Sequence, residues 1–382
     1  MRVLAGFMAL VVLMLTLFGI ITLASITTQT RLVTQASHGL VAALLASPVL
    51  LINPSWILAP KHKIKLYIVI GLLIALIIAC LAVVHIPGIA APPINGAKRW
   101  IRLPLAGREM SFQPSEVVKV AFILLMAWWM QGPARKIETY FRRVFVPCVA
   151  MGVVALGFLL QKDYGSIIML SLVSLILMIL GGAKLKHLVP YVAVALILLG
   201  AKIASDPARM SRLTSFRNPN IETKAAQHAK IAKLALSAGG VYGVGFGKGD
   251  FKAHLPENHT DSIFCMIGEE WGFVGTSTCL ALFVAFLFMG LQVTRRAPDM
   301  FCALAAFGLT LHISLAAAVN TGMMSGLLPI KGLALPFISY GGSNLFCSIF
   351  AAFFLISICL RCKRNRFVDR NAINASQTLL PL

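Results

Sequence analysis

Apolar residues along this chain come in long unbroken blocks, with none of the strict alternation of a half-buried strand. A membrane-crossing helix needs about 20 mostly apolar residues. Blocks near that length occupy positions 3–25, 37–55, 66–87, 113–131, 145–161, 165–182, 187–204, 263–291, 301–325 and 343–361. Only Gln161-Lys162-Asp163-Tyr164-Gly165 separates the fifth from the sixth, so one of that pair could be re-entrant or broken. The first block follows Met1-Arg2 and its apolar core exceeds the ~7–15 residues of a secretory signal, which predicts a retained span. The pattern therefore predicts an all-α integral membrane protein of about ten transmembrane helices. One polytopic domain covers 1–361, and a short basic tail covers 362–382.

Composition agrees. Of 382 residues, 58% are hydrophobic and 12% charged, against about 25% charged in soluble domains. No polar stretch is long enough for a second, soluble domain. The net charge of +21 would suggest nucleic acid in a soluble protein. In a membrane protein it reads as basic loops beside anionic headgroups, and no nucleic-acid partner is expected. Alternate short connections hold Arg2, Lys61 to Lys65, Arg135 to Arg143, Lys184 and Lys186, Arg295 and Arg296, and Arg361 to Arg370. These outnumber the basic residues of the opposite short loops (Arg31, Lys98 to Arg108, Lys162, Lys331) by more than two to one. The bias predicts N-in and C-in, with an even number of spans.

The long connection 205–262, between spans seven and eight, then lies outside. Within it Ala225, Ala229, Ala232 and Leu236 share one helical face, and Lys224, Gln227, Lys230 and Lys233 another. That pattern fits either a helix lying on the membrane surface or a solvated loop helix. The following Gly243-Val-Gly245-Phe-Gly247-Lys248-Gly249 lacks the strand and helix that flank a phosphate loop, so it reads as a flexible hinge. The eight cysteines fall almost entirely in apolar runs and read as small buried hydrophobes. Cys359 and Cys362 lack the second ligand pair of a zinc site.

Ionisable groups at membrane depth are costly and mark functional sites by default. Glu116 and Lys119, at i, i+3 on the fourth span, should pair on one face. Asp163 sits in the break between spans five and six. Asp261 opens the eighth span, with Glu269 and Glu270 about two turns deeper. Each taken singly has a plainer structural reading, as a salt bridge, a helix cap or an interfacial anchor. Under the deduced topology all of them fall in the outer half of the membrane, which points to a shared polar cavity. Lys98, Arg99 and Trp100 in the preceding outer loop suit an anionic headgroup or a simple interfacial anchor. Between spans nine and ten, prolines and glycines interrupt an apolar run from Pro329 to Ser343. Such irregular backbone is tolerated at membrane depth only when buried in protein or lining a cavity.

Four of these blocks, NGAKRWI (95–101), QPSEVVK (113–119), LPENHTDSIFCMIGEEWGFVG (255–275) and LPIKGLALPFISYGGSN (328–344), resemble the signature blocks of the SEDS family of cell-wall glycan polymerases, in the family's order. RLTSFRNP (212–219) resembles the start of that family's large outer loop. Lys331-Gly332 and Ile267-Gly268-Glu269-Glu270 are more similar to its division branch, FtsW, than to its elongation branch, RodA. The chain departs from the family at Lys162, where the family usually has proline, and at Asn344, where it usually has serine.

The resemblance implies a peptidoglycan glycosyltransferase acting on lipid II, with undecaprenyl pyrophosphate as leaving group and inversion at the anomeric carbon. It implies Asp261 as the catalytic base, with His259 as rival. Arg99, Trp100, Glu116, Lys119, Asp163, His259, Lys331 and the Ser339-Tyr340-Gly341-Gly342-Ser343 turn would bind substrate. No organic cofactor is implied, though Mg2+ or Mn2+ could assist. The implied partners are a class B penicillin-binding protein transpeptidase and other division membrane proteins, in the bacterial inner membrane at the septum. A lipid II flippase or a recruiting scaffold are the alternatives.

Overall fold

The computed structural model describes residues 1–54, 63–86, 89–92, 98–105, 108–132, 140–218 and 223–362. Asn95 to Ala97, Lys61, Arg135, Lys136 and the tail beyond Cys362 lie outside them. In chain order the helices are α1 (Arg2–Ile26), α2 (Gln29–Ala46), α3 (Pro48–Leu51), α4 (Lys63–Val83), α5 (Pro114–Met130), α6 (Val146–Leu160), α7 (Tyr164–Leu180) and α8 (Leu185–Ala204). Then follow α9 (Pro207–Arg217), α10 (Lys224–Ala238), α11 (Ile263–Arg295), α12 (Met300–Met324) and α13 (Gly342–Arg361). A helix stands at each of the ten apolar blocks. Among the described residues, seven helices are long and apolar enough to cross a membrane. Helices suit lipid because each satisfies its own backbone polar groups.

Three features differ from the sequence reading. The second span starts at Gln29, well before position 37. Its polar first turns are satisfied inside the protein: Gln35 is 1% exposed and its amide bonds Ser339 O and Gly341 N. The fold is also not wholly α-helical. A two-stranded hairpin, Ile101–Leu105 paired antiparallel with Arg108–Phe112, leads into α5. Finally, the glycine run after α10 is no free hinge. Helix α11 is interrupted at Gly272 (φ 64°, ψ −156°), and the run fills the gap. Val244 N and Gly245 N donate to Glu269 O and Glu270 O, while Phe273 N and Val274 N donate to Gly240 O and Val241 O. A Cβ at Gly243 would lie 2.1 Å from Glu270 O, so only glycine admits this approach. Broken-helix backbone groups left unpaired in lipid would cost several kcal/mol each. This clasp removes that cost.

The clasp also settles the amphipathic helix. α10 buries Ala226, Ala232 and Ala235, and packs this face on α11 and not into lipid. Its lysines 224, 230 and 233 remain exposed. At the centre of the bundle, α13 and α12 have 72% and 56% of their apolar windows buried, against 6% for α8, which stands at the periphery.

Candidate active site

The loops that carry the polar blocks meet at one end of the bundle. Asp163 ends the turn between α6 and α7. Lys162, left-handed at φ 56°, forms that turn; a proline could not adopt this φ. The Asp163 carboxylate caps α7, with Ser166 N at 3.3 Å and Ser166 Oγ at 2.7 Å, and Ser115 Oγ from α5 at 3.4 Å. Burial pushes the Asp163 carboxyl up, but Arg99, Lys119 and the Ser166 bonds outweigh it and hold it below its ordinary range. Arg99 is fixed there by its donors to Gln161 O (3.3 Å) and Lys162 O (2.6 Å). Arg209 of α9 joins it, donating to Lys162 O at 3.1 Å and lying 3.2 Å from the Tyr164 ring centroid. Arg209 thus comes to the site from the long connection 205–262, and no local pattern singles it out.

Asp261 lies in the turn before α11. Ser262 is the N-cap residue, without a side-chain cap bond, and the Asp261 carboxylate makes no hydrogen bond to any described residue. The helix-capping alternative therefore does not hold for Asp261 or Thr260. The carboxylate sits against Gly332: a Cβ there would lie 2.5 Å from Oδ2, so the backbone must be bare for the acid to fit. Burial first, and Glu257 second, push its pKa up to about 7, against the pull of Arg99 and Arg212. Lys331, one residue from that contact, extends toward Gly165 at the start of α7. Burial and the neighbouring arginines lower its pKa to about 8, although Asp163 opposes them.

The SYGGS turn supports the Asp261 turn from below. Ser339 Oγ donates to Thr260 O (2.6 Å) and accepts from Leu335 N (2.7 Å). Tyr340 N donates to His259 O (2.9 Å), and the two rings meet edge-on at 5.6 Å. Gly341 N bonds Gln35, Gly342 lies against His38, and Ser343 Oγ accepts from Gln113 N at 2.8 Å. These residues shape the site by backbone support. His259 bonds Asn258 Oδ1 through Nδ1 (2.9 Å), and burial and Arg31 lower its pKa against Glu257. Trp100 is pinned by Ala91 N donating to its carbonyl.

Glu116 and Lys119 form the expected i, i+3 ion pair at 2.7 Å. They line a small, mostly apolar cavity between α5, α7, α12, α13 and the 333–336 segment, with His312, Asn344 and Ser348 as its other polar groups. Lys119 is thus occupied by Glu116, and it shares Asp163 with Arg99. Glu269 and Glu270 do not join the site. They lie at the break of α11, where Glu269 Oε1 accepts Asp250 N (2.6 Å) and Phe251 N (3.0 Å). Gln35, Asn320 and His312 were missed, although a lone polar residue inside an apolar block is a readable signal.

The family model for the FtsW/RodA/SpoVE cell cycle proteins matches residues 4–365. The chain belongs to that family. This family member is 37% identical over 286 residues to the "Probable peptidoglycan glycosyltransferase FtsW" of Geobacter sulfurreducens (strain DL-1 / KN400), covering 74% of this chain and 75% of the relative. It is 34% identical over 292 residues to the stage V sporulation protein E of Bacillus subtilis (strain 168), covering 75% and 78%. Among solved structures, one described as "Structural coordination of polymerization and crosslinking by a peptidoglycan synthase complex" aligns with TM-score 0.74 and 22% identity, over 94% of this chain and 98% of that one. The Thermus thermophilus rod shape determining protein RodA aligns with TM-score 0.64 and 22% identity, over 94% and 97%. With seven helices long and apolar enough to cross a membrane among its described residues, this FtsW/RodA/SpoVE family member is a multi-pass membrane protein.

Proposed function

We propose that the chain is a peptidoglycan glycosyltransferase that polymerises lipid II at the outer face of the bacterial inner membrane, in the division setting of its FtsW relatives. The observation that carries this is the uncapped Asp261 carboxylate, raised to about 7 and facing Arg99 and Arg212. A general base works best with a pKa near the operating pH. Asp261 would take the proton of the acceptor's GlcNAc 4-hydroxyl as that oxygen attacks the anomeric carbon of the donor MurNAc. Undecaprenyl pyrophosphate leaves with its charge beside Arg99, Arg209, Arg212 and Lys331, which supply the electrostatic stabilisation such a leaving group requires. Attack opposite an α-linked leaving group gives the β-linked product by inversion. Among the described residues no three His, Cys, Asp or Glu side chains converge. A protein-only metal cage does not fit this donor set, and no step here runs through Mg2+ or Mn2+.

The reading places ten spans N-in and C-in, with 205–262 in the periplasm. Reporter fusions after Gly240 should read periplasmic; a cytoplasmic signal would sink the polymerase reading. The partner would be a class B penicillin-binding protein transpeptidase within the division assembly, which is supported by the described synthase complex. A flippase reading draws on one observation, the small cavity that runs from Glu116 and Lys119 to His312 midway along α12. Purified protein, with and without that transpeptidase, incubated with labelled lipid II should yield polymer on a gel. Translocation in vesicles with no polymer under either condition would favour the flippase.

A further inference from the structure

Four consecutive residues around Asp261 are each held by a different group. Three of the partners are Tyr340 N on His259 O, Ser339 Oγ on Thr260 O, and Asn320 Nδ2 of α12 on Asp261 O at 2.8 Å. The fourth comes from the long connection: His228 Nε2 of α10 meets Ser262 Oγ at 3.0 Å. Ser262 is fully buried. Its hydroxyl has one proton, which it donates to Pro256 O at 3.0 Å. Its oxygen must therefore accept from His228, which fixes the imidazole as the Nε2–H tautomer. Burial and Arg212 lower the His228 pKa against Glu257, so the ring is neutral at pH 7. The far end of α10 is anchored by the glycine clasp on 269–274. α10 thus lies along the first turns of α11, fastened at both ends.

We infer that His228 is a positioning residue for Asp261, its Nε2–H bond to Ser262 holding the 256–262 turn so that the carboxylate stays seated against Gly332. The inference rests on the reading of Asp261 as base. No other side chain ties this turn to α10 among the hydrogen bonds of the described residues. Losing the bond frees the turn on that side, and the carboxylate can then move toward water.

The test measures lipid II polymerisation against pH at saturating substrate, with thermal melting of each variant. The groups facing Asp261 are Glu257 of its own turn, Arg99 just before the Ile101–Leu105 strand, and Arg212 of α9. All three are unchanged in the variants. His228→Ala should lower kcat about 10- to 100-fold, the effect of a misplacement of roughly an ångström. It should also move the acid limb of the profile below its wild-type position near pH 7, with KM little changed. His228→Gln, whose amide N–H₂ can reach Ser262, should restore the rate and the limb. Ser262→Ala deletes the same bond from the other side, together with the Ser262 Oγ bond to Pro256 O, and removes no helix-cap bond, so its shift should be at least that of His228→Ala and is readable even if His228→Ala does not fold. A wild-type rate and limb in Ser262→Ala or His228→Ala would overturn the inference, as would equal impairment of the Ala and Gln variants with an unshifted limb. Asp261→Asn separates the layers. If it is inactive while His228→Ala behaves as wild type, only the positioning role fails. If it polymerises normally, the base assignment fails and takes the inference with it.

Discussion

Asp163 and Asp261 stand at the same end of the bundle, each just before the first turn of a long helix. Asp163 receives an N–H and two hydroxyls and faces Arg99 and Lys119. Asp261 receives no hydrogen bond from the described residues and faces Glu257 as well as two arginines. Burial raises both carboxyls, yet only Asp261 ends up high. What separates them is the supply of hydrogen-bond donors to Asp163 and the second acid, Glu257, beside Asp261, so one helix-start carboxyl is held low as an anchor and the other is raised into the range of an acid–base group.

Substitutions can break that comparison. The largest effect expected is from Asp261→Asn, which keeps the shape and loses the proton acceptor. Polymerisation should fall about 10²–10⁴-fold, the usual worth of a positioned general base. Because folding raises this carboxyl from its ordinary 3.8 to about 7, stability falls as pH rises between those two values, and the full cost stands above about pH 7. Above that pH the Asn variant should therefore melt no lower than wild type. Next comes Lys119→Ala, which strands Glu116 and withdraws a cation from Asp163. Breaking a buried pair costs about 3–5 kcal/mol, so activity or assembly should suffer far more than in Lys136→Ala. Equal activity of those two variants would remove the cavity role of the pair.

The pH–rate profile sharpens the contrast further. Asp261 must be ionised, so the rate should rise through about pH 7, and Lys331 must be charged, so it should fall above about pH 8. Lys331→Arg should abolish the falling limb and leave the rising one. A profile flat from pH 6 to 9 would count against both assignments. The smallest effect is expected from Asp163→Ala, a lost cap worth about 0.5–2 kcal/mol, read as a lower melting temperature. If Asp163→Ala silences polymerisation while Asp261→Asn does not, the two roles are reversed.

Helix positions were legible because lipid imposes one pattern, long apolar blocks with charges at their ends. The acids and the Glu116–Lys119 pair were legible for the same reason, as costly exceptions. What stayed hidden was set by tertiary contact. Nothing local distinguishes the cap at Asp163 from the uncapped Asp261. The glycine run read as loose because its partner, the break at Gly272, lies some thirty residues away. Gln35 belongs to a stretch whose polarity argued against a helix, until the SYGGS turn is seen to use its amide. Asn320 and His312 could have been flagged as polar residues in a span, but their roles depend on the 331–336 segment packing beside α12.

The interruption at Gly272 also fixes a length. An unbroken α-helix of 33 residues would measure about 50 Å at 1.5 Å per residue, far more than the roughly 30 Å of hydrocarbon. Divided at Gly272, the same segment supplies a piece of about 35 Å that matches the bilayer and a short piece that can run at an angle along its rim. The height of Asp261 above the membrane centre is then set mainly by the second piece, and the direction its side chain faces by the first. One residue inserted before Gly272 would turn the carboxylate by about 100° about the first piece and move it about 1.5 Å along that piece. One inserted after it would lift the whole site by about 1.5 Å and swing the first piece by about 100° about the axis of the second.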